Sequence, residues 1–93
     1  MMKDWRTIAE GVPHEAVGLM AQQLTEFGAE VWFTGEGQGQ VKSVSGVFAF
    51  RLEAGRFDVK LEENPGHFPE KMLFGGMRQF VEEAIERVKR VEA

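Results

Sequence analysis

Phe57, Val59 and Leu61 alternate without a break with Asp58, Lys60 and Glu62, and this two-residue period constrains the fold more than any other feature of the chain. Only an extended strand sends successive side chains to opposite faces, so one face of the segment is apolar and the other charged. Phe48 to Leu52 repeats the alternation on the far side of Glu53-Ala54-Gly55-Arg56, and the two runs read as an antiparallel pair. A sheet with one apolar face needs a cover. Pro13 to Phe27 supplies one: Val17, Met20, Leu24 and Phe27 fall on one helical stripe, and Gly28 suits the left-handed conformation just past a helix end. Met77, Phe80, Val81, Ala84, Ile85, Val88 and Val91 form a second stripe, with Glu83–Arg87 and Glu86–Arg90 paired at four-residue spacing. Gly75-Gly76 marks the start of that helix or a kink in it.

The remaining segments are shorter. Trp5 to Val12 reads as an opening strand or as a short turn capped by Asp4, and the strand is the expectation. Val31 and Phe33 flank Trp32 in another, and the glycines of Gly35-Glu36-Gly37-Gln38-Gly39 suit a tight reversal back through Val41. Asn64-Pro65-Gly66-His67-Phe68-Pro69 interrupts regular structure, because its prolines lack donors. Lys42 to Phe50 has two readings. As a short helix it is capped by Ser43, with Val44, Val47 and Phe48 on one face. As a strand it aligns Val44, Phe48, Phe50 and Leu52 in one row, with Gly46 as a gap. Either way the prediction is an α+β open-faced sandwich forming one domain over residues 1–93: an antiparallel sheet of three to four strands with two long helices on one face, joined by a third short helix in the helical reading.

Composition narrows the function. A formal charge of -4 and a pI of about 5.2 give no electrostatic footprint for nucleic acid. Without cysteine there is no disulfide framework, thiolate metal site or cysteine nucleophile. Charges stand where a signal peptide needs an apolar run, and no stretch approaches the roughly 20 apolar residues of a membrane span. A cytoplasmic protein is expected. His14 beside Glu15 lacks third and fourth metal ligands, and Gly35 to Gly39 lacks the Lys-Ser/Thr ending of a phosphate loop, so no metal or cofactor is expected. The carboxylates lie on outer faces and offer no isolated catalytic pair. Trp32 stands apart: with Val41 and Val47 it would make an exposed patch for a protein partner, unless the amino-terminal segment or a second copy in a homodimer covers it.

In the helical reading the order strand, helix, strand, strand, short helix, strand, helix resembles HPr, the small phosphocarrier of the bacterial sugar phosphotransferase system. The residues carrying the likeness are Gly11-Val12 before a helix, the helix end at Phe27 with Ala29-Glu30-Val31 opening a strand, Lys42-Ser43-x-x-Gly46-Val47, and Gly55 before the next strand. It spans Gly11 to Leu61. Ser45, Phe50 and Arg51 depart from the residues usual after the Lys-Ser pair, and Glu62 to Gly76 is longer than the family pattern. Counted without gaps, the family's phosphorylated histidine falls on Pro13 and its phosphate-binding arginine on Glu15. His14 is a catalytic residue only if phosphocarrier activity is retained, which requires one deletion in the helix. Ser43 matches the regulatory serine, and the resemblance implies partner contacts at Val44 and Phe48. It therefore implies a degenerate, non-catalytic interaction or regulatory domain, with Pro13, His14, Glu15, Lys42, Ser43, Val44 and Phe48 as regulatory or partner-binding residues.

In the strand reading the chain is similar instead to small proteins of the polyhydroxyalkanoate granule-associated type. Ser45-Gly46 entering a strand, the Phe48 to Leu61 hairpin and the apolar Met72-Leu73-Phe74 run carry that likeness. It implies a structural or surface-associated role and assigns no functional residues.

Overall fold

The alternating hairpin lies inside a five-stranded antiparallel sheet. In the computed structural model, which describes residues 5–92, the strands are β1 (Arg6–Ala9), β2 (Glu30–Gly35), β3 (Gln38–Ser43), β4 (Gly46–Glu53) and β5 (Arg56–Glu63). Their order across the sheet is β1-β5-β4-β3-β2. Helix α1 (His14–Glu26) leads from one edge strand to the other, and α2 (Glu70–Glu92) follows β5.

The sheet thus has five strands rather than three to four, and among the described residues there is no third helix. The segment expected to be either a capped helix or a continuous strand is instead strand, turn and strand. Val41 pairs with Phe48, Lys42 with Val47 and Ser43 with Gly46, and Val44-Ser45 forms the reversal. Ladder pairing satisfies backbone groups that a two-turn helix would leave half unpaired. Gly46 is needed here because a Cβ would collide with the carbonyl oxygen of Glu63.

Along the sheet, Ile8, Val41, Phe48, Phe50, Phe57, Val59 and Leu61 are buried on the face that the helices cover. Phe50 and Phe57 stack at 5.9 Å, and Phe48 meets Phe74 of α2 edge-on at 6.1 Å. Each such ring contributes about 1.5–3 kcal/mol by burial. Gly39 lies between Phe33 and Phe50 in the ladder, and over it the two rings touch edge-on at 5.7 Å.

Pro13 precedes α1 with φ of -71°, and no side chain caps its start. At the other end the Phe27 N–H bonds back to Gln23 and Leu24, and Gly28 takes φ of 95° to turn the chain toward β2. Helix α2 begins before Gly75-Gly76, at Glu70, because Leu73 and Phe74 bury and extend the apolar stripe back through the glycines. Neither glycine is closely packed, since a Cβ at either would meet nothing within 4 Å.

Candidate functional site

Apolar residues on both helices and on the β3–β4 turn bound an open groove of about 370 Å³. Leu24, Val41, Phe48, Leu73 and Met77 make its buried walls. Phe27, Val44 and Met72 stand on its rim with exposures of 75%, 97% and 53%. The groove lies where α1 ends, between α2 and the β3–β4 turn. Helix α1 ends at Glu26, leaving Phe27 to touch Phe80 of α2 edge-on at 5.5 Å, while the Val44-Ser45 turn borders the groove from the sheet. On α2, Gly76 lines the groove and adds no side chain to fill it.

Among the described residues no charged side chain lines this space, and Ser43 and Ser45 carry its only hydroxyls. The Ser43 hydroxyl is engaged locally: it accepts from the Ser45 N–H at 3.2 Å and donates to the Gly46 carbonyl at 3.4 Å. It therefore pins a turn and caps no helix. An apolar groove with two hydroxyls can desolvate an aliphatic or aromatic group, and among the described residues no His, Lys, Arg, Asp or Glu lines it.

Three residues singled out from the sequence, Ser43, Val44 and Phe48, meet at this groove. Lys42 does not, because alternation along β3 sends it to the opposite face from Val41 and Ser43. Pro13, His14 and Glu15 sit at the far end of α1. That helix has 13 residues, so its first residue lies about 18 Å along the axis from its last. His14 Nε2 is 4.0 Å from Glu36 Oε1, and both side chains are largely exposed. Glu15 and Glu36 beside it would oppose a phosphoryl group rather than hold one.

Sequence reasoning missed Met72, Leu73, Met77 and Phe80 as groove residues, since they read only as an apolar run and a helix stripe. The available signal was Phe27 and Val44, two large apolar residues at turn positions, where burial is rare. The Trp32 patch is corrected as well. Val41 is buried on the helix-covered face, so the ladder neighbours of Trp32 are Gln40 and, beyond it, Ala49 and Lys60.

That open face holds the second cluster of the molecule. Asp58, 2% exposed, accepts from Thr7 Oγ1 at 2.7 Å, Arg51 Nε at 3.2 Å and Arg56 Nε at 3.3 Å. Trp5 lies over the Arg51 guanidinium at 4.2 Å and near the Lys60 ammonium at 5.1 Å. Burial pushes the Asp58 carboxyl up, but the three hydrogen bonds and the Arg56 charge outweigh it and hold the group below its ordinary value. Both carboxylate oxygens are engaged by donors already in the sheet, which makes the cluster a structural pin. Among the described residues no group of three or more His, Asp or Glu is placed to hold a metal, and no helix is long and apolar enough to cross a membrane. No protein-family model, curated protein or solved structure matches the chain.

Proposed function

We propose that the chain is a cytoplasmic, non-catalytic protein-interaction domain whose groove takes an apolar anchor side chain from a protein partner. The observation that carries this reading is the exposed rim of Phe27, Val44 and Met72 around a space lined without charge. Three large apolar groups held in water at the mouth of a groove lose their unfavourable hydration when a partner covers them. From the HPr resemblance the reading keeps the partner-facing role of Val44 and Phe48. His14 acts in no phosphotransfer here, and incubation with Enzyme I and phosphoenolpyruvate is expected to leave it unphosphorylated. Ser43 keeps a regulatory place through different physics. A phosphate on it would displace both turn hydrogen bonds and set a dianion at an apolar mouth.

Selection of a random peptide library against the wild-type chain, counter-selected with Val44→Asp/Met72→Asp, tests the proposal. Peptides with Leu, Phe or Met anchors are expected to bind at least tenfold more weakly to the double variant. They should shift the backbone amide resonances of residues 24–29, 43–48 and 72–80. Recovery of no groove-dependent peptide would sink the reading. The same exposed rim supports a second one, a structural protein adsorbed on a polyester granule. That alternative requires adsorption to polyhydroxyalkanoate particles that Val44→Asp/Met72→Asp abolishes.

A further inference from the structure

The two edges of the sheet are finished differently. β1 has four residues and a register break between Thr7 and Ala9, and Arg78 Nε of α2 donates to its Ile8 carbonyl at 3.0 Å. A short, bulged strand with a carbonyl already occupied is a poor template for another strand. β2 has six residues, pairs regularly with β3 from Glu30 to Phe33, and lies in a stretch from Ala29 to Gly39 without lysine, arginine or proline. Lysine and proline are the residues that most often blunt an edge, and the charges in this stretch, Glu30 and Glu36, stand at its two ends. Two aromatic side chains flank this edge on opposite faces, Trp32 at 39% exposure and Phe33 at 52%. A partner seated on either face of the sheet would cover one of them, whereas an added strand covers both at once. With half of Phe33 in solvent, no helix closes over the edge at its row.

We infer that β2 is the contact of a symmetric homodimer, in which the β2 strands of two copies pair antiparallel and their sheets run on as one. Charge and symmetry select the register. A closed two-fold normal to the sheet keeps both sets of helices on one side, which requires opposed residues to point to the same face. Centring on Phe33 would bring Glu30 toward Glu36 of the other copy, in the turn just past β2, and set like charges together. Centring on Val31 would oppose Glu30 to Trp32 and leave Thr34 and Gly35 beyond the pairing. Centring on Trp32 opposes Trp32 to itself, Val31 to Phe33 and Glu30 to Thr34, and it uses the strand from Glu30 to Thr34 without a charge clash. Lys42, the β3 ladder partner of Glu30, supplies a counter-charge beside each end of the seam. Because β1 is closed, assembly stops at two copies.

The chain has no native cysteine, so single-cysteine variants report the seam directly. Opposed Cβ atoms in an antiparallel pair lie about 4.5–5.5 Å apart, near disulfide range. Mild oxidation of Trp32→Cys is expected to give a cross-linked dimer, and Val44→Cys, far from the seam, is expected to give none. Sedimentation equilibrium of the wild-type chain should show twice the monomer mass at tens of micromolar. Trp32→Lys should sediment as a monomer with an unchanged far-UV circular dichroism spectrum, and if it fails to fold the cysteine pair decides alone. A wild-type monomer at several hundred micromolar, an open-ended series of larger species, or equal cross-linking from Val44→Cys would overturn the inference.

Discussion

Asp58 is the one charged side chain buried in the sheet among the described residues, and its partners decide how stability responds to acid. Its folded value lies below the ordinary 3.8, so folding favours the carboxylate. The contribution is complete above the unfolded value and is lost as pH falls through the folded one. Asp58→Asn is expected to lower stability by about 2 kcal/mol at neutral pH, since hydrogen bonds to a charged acceptor are weakened. The gap between variant and wild-type urea midpoints should hold from pH 7 to about 5 and narrow as pH falls through 4 and below; a gap unchanged into that acid range would show that the carboxylate charge contributes nothing. Val44 behaves in the opposite way. At 97% exposure, Val44→Asp should change stability by less than about 0.5 kcal/mol while removing groove binding. A urea titration beside a peptide titration separates the two effects.

At the scale of elements, Gly75 and Gly76 read from the sequence as a helix start or a kink, yet both lie inside α2 with open space beside them. Gly75→Ala is therefore expected to stabilise the chain by about 0.5–1 kcal/mol through helix propensity, raising the thermal midpoint by a few degrees. A drop in calorimetry would instead restore the hinge. The same contrast explains what was legible. Phe57 to Leu61 and the stripe from Met77 to Val88 carry long, regular periods, and both elements formed where the period placed them. Lys42 to Phe50 is too short for periodicity to decide, because Val44, Val47 and Phe48 fit a helical face as well as Phe48 and Phe50 fit a pleat. Long-range pairing decided it, through Val41 against Phe48 and Phe48 against Leu61. Of the site, Ser43, Val44 and Phe48 were visible as residues. The groove between them and α2 was not, since it depends on how far apart the helices leave the sheet's end.

Across the whole molecule, β2 to β5 form a sequential meander, whereas β1 reaches β5 over half the chain, with Arg6 opposite Val59. Pairing at that separation carries the largest loop-closure entropy in the sheet, so it is expected to form after the meander. Ile8→Ala, which empties a buried site under β1, is expected to speed unfolding about tenfold or more and to leave the refolding rate nearly unchanged. Stopped-flow chevrons check this, and slowed refolding would move β1 into the folding nucleus. The packing of Trp5 over Arg51 and Lys60 on the open face has a further, optical consequence. With no tyrosine in the chain, all intrinsic emission above 300 nm comes from Trp5 and Trp32. One indole sits against two cations beside the late-docking strand, and the other half-emerges at the unpaired edge. Trp32→Phe leaves an emitter that reports amino-terminal docking, and Trp5→Phe leaves one that reports what arrives at β2. Two spectroscopic channels are thus built into the chain, and no dye is needed to separate folding from association.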